Sequence, residues 1–151
     1  MSHCIMGLDP GASGAVAFHF VEKPELISVY DVPTADGEIN ASALYDLIMV
    51  YRPTLAVVER VGAMPKQGLS STFKFGVSYG MARGVIGAAK IPCHLITPGM
   101  WKKYFRLGPD KEQARAVAIR LFPSCTGFTR KKDHGRAEAA LMARYGADTL
   151  I

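Results

Sequence analysis

Two carboxylates, Asp9 and Glu59, each close a short apolar run, and a third, Glu138, stands far downstream behind a basic stretch. The runs from His3 to Asp9 and from Leu55 to Glu59 read as buried β-strands, and the strand ends of open α/β sheets are where such folds place their chemistry. Carboxylates converging there call for a divalent cation. Hard oxygen ligands suit Mg²⁺ or Mn²⁺, above all beside phosphate. Taken alone, Asp9 also fits the opening of an Asp-Pro-Gly turn, and Glu59 could emerge at the surface and pair with Arg60. His134 and Glu138 are four residues apart, so on a helix they project about 40° apart. The pair could offer an imidazole and a carboxylate to one ion, or make a plain surface contact. It is the combination with two strand-end acids that points to metal-dependent phosphodiester chemistry.

The partner implied by charge is a polyanion. The formal net charge is +5, and it is unevenly spread: residues 1–59 hold eight Asp/Glu and two Lys/Arg, whereas residues 60–151 hold five and sixteen. Lys102, Lys103, Arg106, Lys111 and Arg115, then Arg130, Lys131 and Lys132, are clustered cations suited to phosphates, with solvated helix faces as the plainer reading. Trp101, Tyr104 and Phe105 lie among them and read as buried anchors of a short helix, with base stacking as a minor option. The cysteines, Cys4, Cys93 and Cys125, are odd in number, widely spaced and without a CxxC pair, which suits reduced thiols and argues against zinc. With neither a leader-like start nor an apolar stretch near the ~20 residues of a membrane span, the expectation is a soluble cytoplasmic protein without membrane contact.

The elements that must position these residues follow from pattern. At 151 residues and 49% hydrophobic, one domain spanning 1–151 is expected. Residues 3–9 and 14–21 flank Pro10-Gly11-Ala12-Ser13-Gly14 as a hairpin, and Leu26–Tyr30 supplies a third strand. Asn40 caps a helix through about Tyr51, with Leu44, Leu47, Ile48 and Tyr51 on one face, before the strand Leu55–Val58. Gly62–Ser70 reads as a loop. A helix follows from Ser71 to Ala89, with small residues at Gly76, Gly80, Gly84 and Gly87. Pro92–Ile96 is a short strand, Pro98 opens a short helix through Phe105, and Asp110 caps another through Phe122. The last helix runs from Asp133 or His134 to Tyr145. The fold class is α/β, a mixed five-stranded sheet whose first three strands are antiparallel, flanked by helices.

Gly7-Leu8-Asp9-Pro10-Gly11 with Ser13-Gly14, then Val57-Val58-Glu59, then Phe75-Gly76 through Ala82-Arg83-Gly84-Val85, resemble in order and spacing the RuvC-type Holliday-junction resolvases of the RNase H-like (retroviral-integrase) superfamily, particularly the small phage-encoded ones. The resemblance spans nearly the whole chain and implies an RNase H-like fold. It also implies that Asp9 and Glu59 are metal ligands and that the last helix supplies the rest through Glu138 and a residue one turn earlier. The bacterial pattern has an Asp pair three residues apart, whereas position 135 here is Gly135. The earlier role then falls to His134, or to Asp133 if the helix begins later; helical geometry favours His134. Lys102 and Lys111 match basic positions beside the scissile phosphate.

The resemblance further implies a homodimer built around the helix from Ser71 to Ala89, with two sites facing opposite strands of a four-way junction. The loop Gly62–Ser70 falls where relatives probe the junction centre, so Met64 is expected as an apolar wedge. Lys66, Lys74, Lys103, Arg106, Arg130, Lys131 and Lys132 are expected as DNA contacts. The implied reaction is in-line hydrolysis with two Mg²⁺ (or Mn²⁺) ions bridged by Asp9, giving paired nicks with 5′-phosphate and 3′-hydroxyl ends. The competing readings are a broader debranching nuclease, a non-cleaving junction-binding module, and a nucleotide-binding fragment, since Leu-Asp-Pro-Gly also resembles the phosphate loop of actin-like kinases. Those kinases need two lobes, which one domain of this length does not supply.

Overall fold

In the computed structural model, which describes residues 2–62 and 65–151, the first apolar run becomes the central strand of a sheet. β1 (Cys4–Leu8) is buried along its whole length because it has a strand on each side and helices on both faces. It pairs antiparallel with β2 (Ala15–Phe20), which pairs antiparallel with β3 (Ile27–Asp31). A small ribbon, β4 (Thr34–Ala35) and β5 (Glu38–Ile39), follows. The chain then crosses through α1 (Ala41–Tyr51) to β6 (Leu55–Glu59), parallel to β1, and through α2 (Leu69–Ala88) to β7 (Cys93–Ile96), parallel to β6. The sheet order is β3-β2-β1-β6-β7. α3 (Pro98–Tyr104), α4 (Lys111–Leu121), a 3₁₀ turn (Lys131–Asp133) and α5 (His134–Thr149) complete the described chain.

Alternation along the strands divides the core into two. Ile5, Ala15, Ala17, Leu55 and Val57 share one cluster with Trp101 of α3, Ala114 and Ala118 of α4, and the inner face of α5. Met6, Leu8, Val16, Phe18, Ala56 and Val58 share the other with Leu44 and Ile48 of α1 and Ala82 and Ile86 of α2. The sheet is thus sandwiched, and α5 lies against its centre. Two glycines permit that approach: a Cβ at Gly7 would collide with the Ala139 carbonyl and come within 2.7 Å of the Ala143 nitrogen, and one at Gly146 would lie 2.6 Å from the Val57 side chain.

Local signals fix the helix starts. The Asn40 side chain accepts from the Ala43 N–H at 3.1 Å, Asp110 accepts from the Glu112 N–H at 2.9 Å, and Pro98 occupies the first turn of α3. The departures from expectation are few. α2 begins two residues early, at Leu69. α5 passes Tyr145 and continues to Thr149, its last turns secured by an Arg144–Asp148 ion pair at 3.1 Å and by the Tyr104 hydroxyl donating to Asp148 at 2.7 Å. The β4–β5 ribbon was not anticipated. Its turn, Asp36-Gly37, has φ of 54° and 77°, the left-handed pair that an Asp-Gly hairpin turn adopts. Among the described residues no helix is long and apolar enough to cross a membrane.

Candidate active site

Leu8 and Val58 are register partners in the parallel β1–β6 pair, so Asp9 and Glu59 leave the sheet side by side on strands about 4.8 Å apart. The turn after β1 is closed by the Asp9 N–H donating to Ala15 O at 3.0 Å and the Gly14 N–H donating to Gly11 O at 2.9 Å, which holds Asp9 at the sheet end. Because α5 is pressed onto β1 at Gly7, its first turns overhang this end, bringing His134 and Glu138 to the two strand-end acids.

The electrostatics show how closely these groups are associated. Burial raises the Asp9 carboxyl above its usual range, opposed by a backbone N–H at Gly11 and by the charges of His134 and Lys111. Glu59 is pushed up to about 7, first by burial, then by the charges of Asp9 and Glu138; Trp101 and Lys102 act in the other direction. Glu138 is raised by burial and by Asp9, against Lys102, His134 and Lys111. Three half-buried carboxylates thus oppose one another's ionisation, a state that a divalent cation relieves. The His134 Nδ1 is buried without a hydrogen-bond partner, a nitrogen left available to a ligand. The donor chemistry fits a hard cation such as Mg²⁺ or Mn²⁺. Among the described residues, however, no three His, Cys, Asp or Glu side chains stand as a ready-made ligand set, so an ion would have to draw them together.

Asp133, the alternative to His134 among the expected ligands, is engaged by arginine in this structure. Its carboxylate is 3% exposed and is taken up by the 3₁₀ turn: it accepts from the Arg130 N–H at 2.8 Å and from the Arg130 guanidinium at 2.8 and 3.1 Å, with Arg136 at 3.8 Å. These partners hold it well below the usual carboxylate range. The 3₁₀ turn ends at Asp133 and α5 begins at His134, and the imidazole, one helical turn before Glu138, acts electrostatically on Asp9 and Glu138.

The expected basic residues divide into three sets. Lys102 and Lys111, at the end of α3 and the start of α4, act electrostatically on the acidic cluster. Lys66, Lys74, Lys103, Arg106, Lys131 and Lys132 are exposed. Lys74 lines a cleft with Gly11, Ser13 and Phe75, and Lys132 lines one with Ala12, Ser13 and Gly14, so both flank the Asp9 turn. Arg130 is engaged with Asp133. Arg115, counted among the cations from sequence, has a framework role, bonded to Glu112 at 2.6 Å and to the carbonyls of Phe128 and Thr129 at 3.0 and 3.2 Å. Met64 lies outside the described residues.

Sequence reasoning passed over the residues that wall the site. A cleft of about 320 Å³ beside Glu59 is lined by Arg60, Val61, Gly62, Gln67, Phe75 and Pro98. The Phe75 ring also faces Gly11, so this half-buried aromatic of α2 stands between the Asp9 turn and Glu59. Trp101 is fully buried, which supports the anchor reading over base stacking.

No family model and no curated protein matches the sequence, but solved structures of RuvC and of a Holliday junction resolvase share its fold. Thermus thermophilus RuvC in complex with a Holliday junction substrate superposes with a TM-score of 0.66 at 14% identity, covering 97% of this chain and 95% of that one. A second T. thermophilus RuvC structure gives 0.66 at 14%, covering 96% and 95%. The yeast mitochondrial Holliday junction resolvase Ydc2 gives 0.51 at 16%, covering 93% and 75%. The mixed five-stranded sheet with three leading antiparallel strands is therefore the fold that the resemblance implied.

Proposed function

We propose that the chain is a divalent-metal-dependent endonuclease that resolves four-way DNA junctions by paired nicks. The observation that carries this reading is the convergence of Asp9, Glu59, Glu138 and His134 at one end of the β1–β6 pair, with Lys102 and Lys111 acting on the same cluster. It is supported by the fold shared with proteins whose structures are described as RuvC with a Holliday junction and as a junction resolvase.

Asp9, Glu59, Glu138 and His134 would hold the metal, two ions in the fullest form of the proposal. Bound there, Mg²⁺ or Mn²⁺ supplies Lewis-acid neutralisation of the phosphate and a more acidic water. Asp9, held at the sheet end by its turn, would be one of the residues that hold the metal. Lys102 and Lys111 offset charge that grows on the phosphate oxygens as water attacks phosphorus in line and the P–O3′ bond breaks. The products are a 5′-phosphate and a 3′-hydroxyl. Lys74 and Lys132, on either side of the Asp9 turn, would hold the flanking phosphates.

Paired nicks need two copies, and α2 offers the surface. Ser78, Ala82 and Ile86 are its buried residues. On the opposite side Leu69, Phe73, Gly76, Gly80, Gly84 and Gly87 fall within about 80° of one another around the helix. Leu69 and Phe73 are 91% and 73% exposed, and a Cβ at any of those four glycines meets nothing within 4 Å. An apolar end followed by a stripe of glycines is suited to close packing against a second copy of the same helix.

The test is cleavage of a synthetic immobile junction and its linear duplex in Mg²⁺, Mn²⁺ or EDTA, beside Asp9→Asn. Symmetric metal-dependent nicks in the junction alone, lost by about 10³-fold or more in Asp9→Asn with junction binding retained, are expected. Cutting of forks and flaps as well would make the protein a broader debranching nuclease. Tight binding without cutting in either metal would leave a junction-binding module.

A further inference from the structure

α5 carries His134 and Glu138, yet it starts without a local cap. The Asp133 side chain bonds no N–H of α5, and no acidic residue stands in its first turn, whereas α1 and α4 open on side-chain caps. The Asp133 carboxylate bonds Arg130 instead. What orients this end of the helix must therefore be a tertiary contact, and one is present. Arg136 Nε donates to Asp31 Oδ1 at 2.9 Å and its Nη2 donates to Asp31 Oδ2 at 3.1 Å, across 105 residues of chain. Asp133 Oδ1 lies farther off, 3.8 Å from Nη1. A planar fork on a carboxylate fixes direction as well as distance.

Asp31 is itself tied to the site. It closes β3 opposite Ala15 of β2, and the Ala15 carbonyl accepts the Asp9 N–H that closes the turn after β1. One residue on, the Val32 N–H donates to Gly14 O at 3.0 Å. The fork thus joins α5 to the end of β3 that holds the Asp9 turn. The two parts lie close together: a Cβ at Gly135 would stand 4.0 Å from the Ser13 carbonyl. Residues two apart on a helix project about 160° apart, so Arg136 leaves α5 on the side opposite both His134 and Glu138. Holding Arg136 to β3 sets the rotation of α5 about its own axis, and with it the direction of both side chains.

We propose that Arg136 is a positioning residue whose fork on Asp31 locks the first turn of α5 against the Asp9 turn and so sets where His134 and Glu138 stand relative to Asp9. This rests on the metal-nuclease reading. The guanidinium bonds none of the metal-site carboxylates and acts through the helix. Stability gives little reason for the pair. The Asp31 side chain is 72% exposed, an ion pair so placed contributes little, and without Arg136 the Asp31 carboxylate is hydrated while Asp133 keeps Arg130.

The test compares wild type, Arg136→Met, Asp31→Asn and the double variant without DNA. For Arg136→Met, charge and position predict opposite signs: loss of a cation near three carboxylates would by charge alone tighten Mn²⁺ binding, whereas a helix free to turn should weaken it. Calorimetric titration should show about tenfold weaker Mn²⁺ binding in each single variant and no further loss in the double, since both substitutions remove one contact. Melting temperatures in EDTA should stay within about 3 °C of wild type. In the metal-free variants, the peptide carrying His134 to Glu138 should exchange its amides faster while α1 is unchanged. An Arg136→Met that binds Mn²⁺ as tightly as wild type, or more tightly, overturns the proposal, as does an additive loss in the double variant. If Arg136→Met does not fold, Asp31→Asn decides: weaker binding with faster exchange in α5 supports the proposal, and weaker binding without it, or unchanged binding, overturns it. A wild type that binds Mn²⁺ while the variants match it sinks this inference alone; a wild type that binds no Mn²⁺ sinks the nuclease reading and the inference with it.

Discussion

Asp9 and Glu59 leave adjacent parallel strands one step beyond the Leu8–Val58 register pair, and each opposes the ionisation of the other. The sheet therefore brings like charges together at its own end, an arrangement that weakens the metal-free fold and favours a cation.

This sets a pH dependence. An acid whose folded pKa is raised contributes stability that is full below its unfolded value, 4.5 for Glu59, and is lost as pH rises through about 7. In EDTA the melting temperature should fall between pH 5 and pH 7.5, and Mg²⁺ should restore it at the upper end by binding the ionised cluster. Glu59→Gln should stabilise the metal-free protein at pH 7.5 by roughly 1 kcal/mol, about 2–4 °C for a chain of this size, while abolishing the Mg²⁺ effect. Thermal melts across pH with and without Mg²⁺ decide it; a flat EDTA profile would show that the three acids are not coupled as described.

Asp133 and His134 are neighbours to which the proposed function gives separate roles, and substitution should split them. Asp133→Ala strips the buried partner from Arg130 and Arg136. With Arg130 half exposed, the cost should be about 2–3 kcal/mol of stability, and once folded the variant should need no more Mn²⁺ for cleavage than wild type. His134→Ala should melt within about 1 kcal/mol of wild type yet require about tenfold more metal. Parallel melts and metal titrations of cleavage read both; the reverse pattern would make Asp133 the ligand.

How much of this was legible depended on the range of each signal. Asp9 and Glu59 stood out because both end apolar runs, and strand ends are marked locally by sequence. The caps at Asn40 and Asp110 and the proline opening α3 were equally local. His134 and Glu138 could be paired by helical spacing, but no local signal tells which side of a 3₁₀ turn Asp133 faces; its two arginine partners decide that. Arg115 looked like another phosphate-binding cation because its bonds to the Phe128 and Thr129 carbonyls span a loop. Phe75 and Trp101 reach the site only through the crossing of α2 and the return of α3, which tertiary packing determines. The Asp36-Gly37 turn carried a readable signal that strand periodicity, on two-residue strands, was too short to support.

Gly7 tests whether α5 positions the site. A methyl group there meets the α5 backbone at Ala139 and Ala143, which cannot yield as a flexible side chain would. Gly7→Ala should cost about 3 kcal/mol. If the variant folds at low temperature, it should lose cleavage more steeply than junction binding, because lifting α5 carries Glu138 and His134 away from Asp9 and Glu59. Chemical denaturation gives the first number and paired binding and cleavage assays the second. A variant with wild-type stability would mean that α5 does not press on β1 as closely as the structure has it.

The α2 face is the last element whose role can be isolated. Phe73 is largely exposed and touches none of the acidic cluster, so Phe73→Glu should leave the folded monomer and its metal binding intact. Placed in an interface between two copies, the same glutamate would be desolvated against its symmetry mate, at a cost of about 2 kcal/mol or more per copy. Light scattering during size-exclusion chromatography should show a wild-type dimer at micromolar concentration and a monomeric Phe73→Glu. On the junction, the variant should nick one strand at a time where the wild type makes coordinated pairs. A variant that stays dimeric would move the interface off this face. A wild type that is monomeric even on the junction would remove the structural basis for paired cutting and leave a nuclease whose two nicks, if made, are independent events.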